Sequence, residues 1–182
     1  PNGEPYKLCT FSRVMKEKGI EDAFLAVKAV NERLDRVAYE LDIYGEVDIN
    51  QKEWFENLKR SFPPYIHYCG AVQFDKSVEV LKNYSALLFP TFYEGEGFAG
   101  TIIDALAAGI PIIASDWKYN REIISSDVGF IFPTHNVDAL ANTLENCLKN
   151  VHLINRLKLN CILKAKEYST TRVISNFIKH LA

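Results

Sequence analysis

The sequence predicts a doubly wound α/β domain, a parallel sheet with helices packed on both faces. Three observations carry this. Short apolar runs alternate with stretches of helical periodicity through most of the chain. The run Ala86-Leu87-Leu88-Phe89 is apolar throughout, as a strand buried on both faces should be. Glycine or proline closes the runs, as at Gly45, Gly70 and Pro90.

In chain order, residues 1–5 read as a disordered lead-in and Tyr6 to Phe11 as the first strand. A helix follows from about Ile20 to Leu34, because Ala23, Phe24, Val27 and Val30 fall on one face. Tyr39 to Tyr44 is the second strand, stopped by Gly45. Trp54, Phe55 and Leu58 mark a helix over residues 50–61, which Pro63 and Pro64 end. Tyr65 to Cys69 is the third strand, ending at Gly70. Asp75 is placed to cap a short helix carrying Val78, Val80 and Leu81. After the strand at Ala86–Phe89, a helix starts at Thr101, with Ile102, Ile103, Leu106 and Ala107 apolar. Gly109 caps it, Pro111 prevents its continuation, and residues 111–114 form the next strand. Trp117 to Ser125 reads as a short helix, Val128 to Phe132 as a strand and Val137 to Lys149 as a helix. Residues 151–168 and 171–181 read as two more helices. The pattern holds no internal repeat and no linker, so residues 1–182 are read as a single domain.

At 182 residues the chain is long enough to bury a substantial core. A net charge of −2 provides no broad field to draw it to nucleic acid or to an anionic membrane. No apolar run approaches the roughly 20 residues of a membrane span, and no signal-peptide pattern is present. The chain opens on Pro1 rather than Met, and so reads as a fragment or a trimmed chain. Cys9, Cys69, Cys147 and Cys161 are scattered, with no C-x-x-C pair; they read as reduced, buried thiols of a cytosolic protein. His67, His135, His152 and His180 are dispersed without metal-ligand spacing, and no Ser or Cys has a convincing base partner.

The chemistry concentrates between Phe89 and Ser115, where a glycine-rich loop with Gly95, Gly97 and Gly100 feeds a helix. Glycines there allow sharp turns and a close approach of backbone to a ligand. Free N–H groups and the positive dipole end make the helix start an anion site. Two carboxylates, Glu96 and Asp104, frame it. Asp104 is read in the first helical turn, where the dipole alone favours an acid. Anion-attracting backbone beside carboxylates suits a ligand with both phosphates and hydroxyls, such as a nucleotide sugar.

Glu96, seven residues and then Asp104, followed by ALAAGIPIIAS, resembles the E-x7-E region of retaining, family-4-like glycosyltransferases of the GT-B fold. Ser12-Arg13 with Lys18-Gly19 resembles that family's G-R-x-x-x-x-K-G segment. The segments at 83–91, 122–124 and 129–133 also match in position. The departures are Asp for Glu at 104, Ala99 for a frequent glycine, Ser12 for the first glycine, and two extra residues after Pro90. The insertion lets Glu94 compete with Glu96 for the first acid; only Glu96 has the right spacing to Asp104.

The resemblance implies a Rossmann-like, donor-binding C-terminal half of a GT-B enzyme, with the N-terminal acceptor domain absent. It implies that Arg13 and Lys18 grip a diphosphate and stabilise its charge as it leaves. Glu96 would hold the donor sugar, beside the N–H groups of Gly97, Phe98, Ala99, Gly100 and Thr101. Asp104 would accept from ribose hydroxyls, and the turn after Gly70 would meet the base. Phe74 in that turn reads first as a core residue, with base stacking as the other option. Trp117 and Tyr119 read as core or interface residues. No cofactor and no metal is expected; the donor is a UDP-, GDP- or ADP-linked sugar. The implied activity is transfer of a sugar to a hydroxyl acceptor with retention, in bacterial surface polysaccharide assembly, by a cytoplasmic enzyme at the inner face of the membrane. The isolated domain would be inactive. The rival readings are a GT-B sugar-nucleotide epimerase and a non-catalytic nucleotide-binding module.

Overall fold

The structure is a computed structural model that describes residues 3–97 and 99–168. Six strands form one parallel sheet: β1 (Tyr6–Phe11), β2 (Tyr39–Tyr44), β3 (Ile66–Gly70), β4 (Ala86–Phe89), β5 (Ile112–Ser115) and β6 (Gly129–Phe132). Their order is β3-β2-β1-β4-β5-β6. The helices are α1 (Ile20–Arg33), α2 (Lys52–Lys59), α3 (Ser77–Leu81), α4 (Gly100–Ala108), α5 (Asn120–Ile123), α6 (Val137–Lys149) and α7 (Val151–Ala165). This is the doubly wound architecture that the alternation predicts.

Each face of the sheet carries its own apolar layer. On one, Leu8, Leu41, Ile43 and Ile113 pack under Val27 and Val30 of α1, Phe55 of α2 and Leu140 and Leu144 of α6. On the other, Cys9, Leu87, Phe89 and Ala114 pack under Leu81 of α3, Ile102 and Leu106 of α4 and Cys161 of α7. Because successive strand residues point to opposite faces, Leu8 and Cys9, neighbours in sequence, serve different layers.

Local signals set several boundaries as read. Gly109 ends α4 at φ 72, its N–H bonding back to the helix. The Asn136 side chain caps α6 by accepting from the Ala139 N–H at 2.8 Å. Other readings are corrected. Asp75 caps nothing: it lies inside a 3₁₀ turn, Phe74–Lys76, that runs straight into α3. The 117–125 helix shrinks to α5, because Lys118 takes a left-handed φ of 46 and the Trp117 indole donates sideways to the Tyr93 carbonyl at 2.8 Å. Three cysteines are buried, but Cys69 is exposed, because the pleat of the edge strand β3 turns it away from the covered face. Phe74 is 92% exposed rather than core; Tyr119 is exposed too, which removes only the core half of its core-or-interface reading. The helix read at 171–181 lies outside the described residues.

Candidate functional site

In an open α/β sheet, ligands bind beyond the carboxyl ends of the strands where the strand order reverses. Here that point lies between β1 and β4, the central pair from which the order runs both ways. The loops leaving β1 and β4 are the two that carry Lys18 and Glu96.

The β1 loop makes one 3₁₀ turn at Lys16–Lys18 and ends at Gly19, whose φ of 69 also starts α1. A Cβ at Gly19 would stand 2.1 Å from the Pro90 carbonyl oxygen. Lacking one, the two loops close on each other. The Phe92 N–H donates to the Glu17 carbonyl at 2.8 Å. Gln51 braces the turn from the β2 side, accepting from the Lys16 N–H at 2.7 Å and donating to the Glu17 carboxylate at 2.8 Å.

This docking joins residues 78 positions apart. Lys18 Nζ donates to Glu96 Oε2 at 2.6 Å, with side chains only 12% and 8% exposed. The Thr91 hydroxyl donates to the same oxygen at 2.6 Å. Lys18 Nζ also lies 4.7 Å from the centroid of the Tyr93 ring, a cation–π contact. Neither Thr91 nor Tyr93 was singled out by sequence reasoning. The available signal was a hydroxyl residue directly after the strand-ending Pro90, one loop turn ahead of Glu96.

The remaining candidates sit around this pair. Glu94 is exposed and bonds Lys118 at 2.6 Å, so it does not share the Lys18 contact. Arg13 is exposed and touches Asp48 at 3.4 Å, a loose contact that leaves its fork available. α4 starts at Gly100 without a side-chain cap, and the Thr101 hydroxyl ties it to the Phe11 carbonyl at 2.9 Å. Gly97 and Gly100 have no left-handed φ, and a Cβ on either would meet nothing within 4 Å. The turns need glycine elsewhere, at positions 19, 45, 70 and 109, where φ is positive. Gly70 closes β3 at φ 75, with open space at its Cβ position. Phe98 lies outside the described residues. Among the described residues, no group of three or more His, Cys, Asp or Glu side chains is arranged to hold a metal ion.

Asp104 is not in the first turn of α4 but its fifth residue, one turn down. It is half-buried, and burial raises its carboxyl above the ordinary range, partly offset by Ser77 on α3. A group that binds its proton more tightly when folded contributes stability at low pH that is lost as pH rises from the ordinary Asp range through the folded pKa. Asp104→Asn is therefore expected to melt higher than the parent at pH 7, with the gap closing below pH ~3.9, the ordinary Asp value. Thermal melts across pH check this; a gap that widens on acidification would contradict it.

A model of the family described as glycosyl transferases group 1 matches residues 5–150. The chain belongs to the group 1 glycosyltransferases. Among curated relatives, the GtfA subunit of UDP-N-acetylglucosamine–peptide N-acetylglucosaminyltransferase of Streptococcus agalactiae is 30% identical over 135 residues, 73% of this chain and 25% of that protein. The solved pneumococcal O-GlcNAc transferase GtfA, in complex with UDP and GlcNAc, superposes with a TM-score of 0.75 at 24% identity, over 98% of this chain and 35% of that one. Anabaena Alr3699/HepE, in complex with UDP, superposes with a TM-score of 0.84 at 14% identity, over 97% of this chain and 48% of that one. At these identities the structural likeness is one of fold, a Rossmann-like half of a GT-B enzyme. This group 1 member spans about a quarter to a third of the length of the GtfA relatives it matches. No helix among its described residues is long and apolar enough to cross a membrane.

Proposed function

We propose that this chain is the donor-binding domain of a retaining glycosyltransferase that moves a sugar from a nucleoside diphosphate to a hydroxyl acceptor. The observation that carries this reading is the buried Lys18–Glu96 pair at the strand-order switch point, beside the uncapped start of α4. Lys18 and the α4 amides supply positive charge for a diphosphate. Arg13, free on its outer side, closes on the same phosphates from the β2 side. Glu96, held on one oxygen, offers the other to a sugar hydroxyl, and Asp104 faces the ribose. Gly70 and the exposed Phe74 leave room and an aromatic face for the base. No metal enters this scheme, because cations and backbone amides take the charge of the leaving group. The acceptor side of the cleft belongs to a domain outside this chain, so the isolated domain binds donor without turnover. The names of the relatives support a nucleotide sugar as donor; a cytoplasmic enzyme acting at a membrane face in polysaccharide assembly is the setting we propose.

Calorimetric titration with UDP, GDP and ADP tests this. One nucleotide is expected to bind. Arg13→Ala and Lys18→Ala should each weaken it by roughly 1.5–3 kcal/mol, the range for hydrogen bonds to charged groups. Added magnesium or chelator should change little. Glu94→Gln should behave like the parent. Unchanged affinity in both cation variants would remove the assignment.

A further inference from the structure

We infer that Thr91 is a positioning residue that fixes which oxygen of Glu96 the donor sugar meets; this rests on the donor-site reading above. Glu96 Oε2 takes two short bonds, from the Thr91 hydroxyl and from Lys18 Nζ, both at 2.6 Å. One oxygen is thereby saturated by the protein, and Oε1 is the acceptor presented to a ligand hydroxyl.

Thr91 is suited to this by being immobile. It is fully buried, and its own carbonyl accepts from the Ser115 hydroxyl at the end of β5 at 2.5 Å. Its hydroxyl oxygen accepts from the Tyr93 N–H at 3.2 Å. The hydroxyl's single proton must go to an acceptor. Glu96 Oε2 at 2.6 Å is far better placed than the Glu17 carbonyl at 3.4 Å. The direction of the bond is thus settled by its surroundings: Tyr93 donates to Thr91, and Thr91 donates to Glu96. Lys18 alone would leave the carboxylate free to swivel, since an ammonium is a point charge that accepts many approach angles. The added hydroxyl makes two fixed directions, which determine the plane of the carboxylate. A site held by second contacts of this kind needs no reorganisation when the sugar arrives.

Three versions of the chain separate this role from a packing role: the parent, Thr91→Ser and Thr91→Val. Valine keeps the volume and loses both bonds of the hydroxyl; serine keeps the bonds. Each is titrated with UDP and with UDP-N-acetylglucosamine and UDP-glucose, and the ligand-free structure of each is determined. UDP affinity should stay within about twofold in all three, because UDP lacks the donor sugar that Glu96 would hold. Whichever sugar nucleotide the parent prefers over UDP should lose at least fivefold in Thr91→Val and recover in Thr91→Ser. In the ligand-free structure of Thr91→Val the Glu96 carboxylate should turn from its parent orientation. An unmoved carboxylate there, or an undiminished sugar preference, overturns the inference. A parent chain that binds none of the three ligands defeats the donor reading instead, and the ligand-free structures still decide the part played by Thr91.

Discussion

Replacing Lys18 with Met is expected to cost about 3–5 kcal/mol of folding stability, the range for removing one partner of a buried ion pair. The double variant Lys18→Met/Glu96→Leu is expected to recover most of that loss. The argument follows from burial. With side chains 12% and 8% exposed, the pair is poorly served by water, so an orphaned Glu96 carboxylate has only the Thr91 hydroxyl to stabilise it. Removing both charges leaves an apolar contact and one hydroxyl, which still has the Glu17 carbonyl within reach. A double-mutant cycle from urea denaturation measures the coupling directly. Both Lys18 variants should lose nucleotide affinity, so stability and binding part company in the double variant alone. A loss below about 1 kcal/mol in Lys18→Met would mean that Glu96 swings out to solvent, and the site would then be formed by the ligand rather than before it.

The second large effect concerns glycines that look alike in the sequence and differ in the fold. Gly19→Ala should destabilise the chain by at least about 2 kcal/mol. A left-handed non-glycine residue alone costs about 1–2 kcal/mol, and the added Cβ would press on the Pro90 carbonyl at 2.1 Å. Relief requires the loops after β1 and β4 to separate, which pulls Lys18 away from Glu96. Binding should therefore fall together with stability. Gly97→Ala meets no atom and needs no left-handed φ. Its stability should change by less than about 0.5 kcal/mol, as for ordinary surface substitutions, while on the proposed donor-site reading nucleotide affinity is expected to fall. Melting curves beside calorimetry read both quantities. A neutral Gly19→Ala would show that the loops do not depend on close approach.

The fold was legible because its signals are local. The helix from Val137 to Lys149 is bounded by a cap at Asn136 and by the spacing of Leu140, Ala141 and Leu144, all within one short segment. β2 matches its reading residue for residue, since alternating burial stamps the pattern YELDIY. The misreadings arose where one segment leans on another. Asp75 looks like a cap until α3 is seen to grow out of a preceding turn. Phe74 looks like core until the turn after β3 carries it outward.

For the site, the sequence by itself determined the inventory: a glycine-rich loop before a helix, two acids eight positions apart, and two cations after the first strand. It also determined the sheet that holds them, because each strand and helix is written in a run of neighbouring residues. What each of the two loop acids touches belonged to the tertiary structure. Glu94 and Glu96 sit in the same loop, yet one turns outward to Lys118 and the other inward to Lys18 and Thr91. That difference depends on β1 and β4 lying side by side, and on Gly19 letting their loops touch. An ion pair between residues 78 apart leaves no periodic trace in either segment. It exists only once the strand order has brought the two loops to one edge of the sheet.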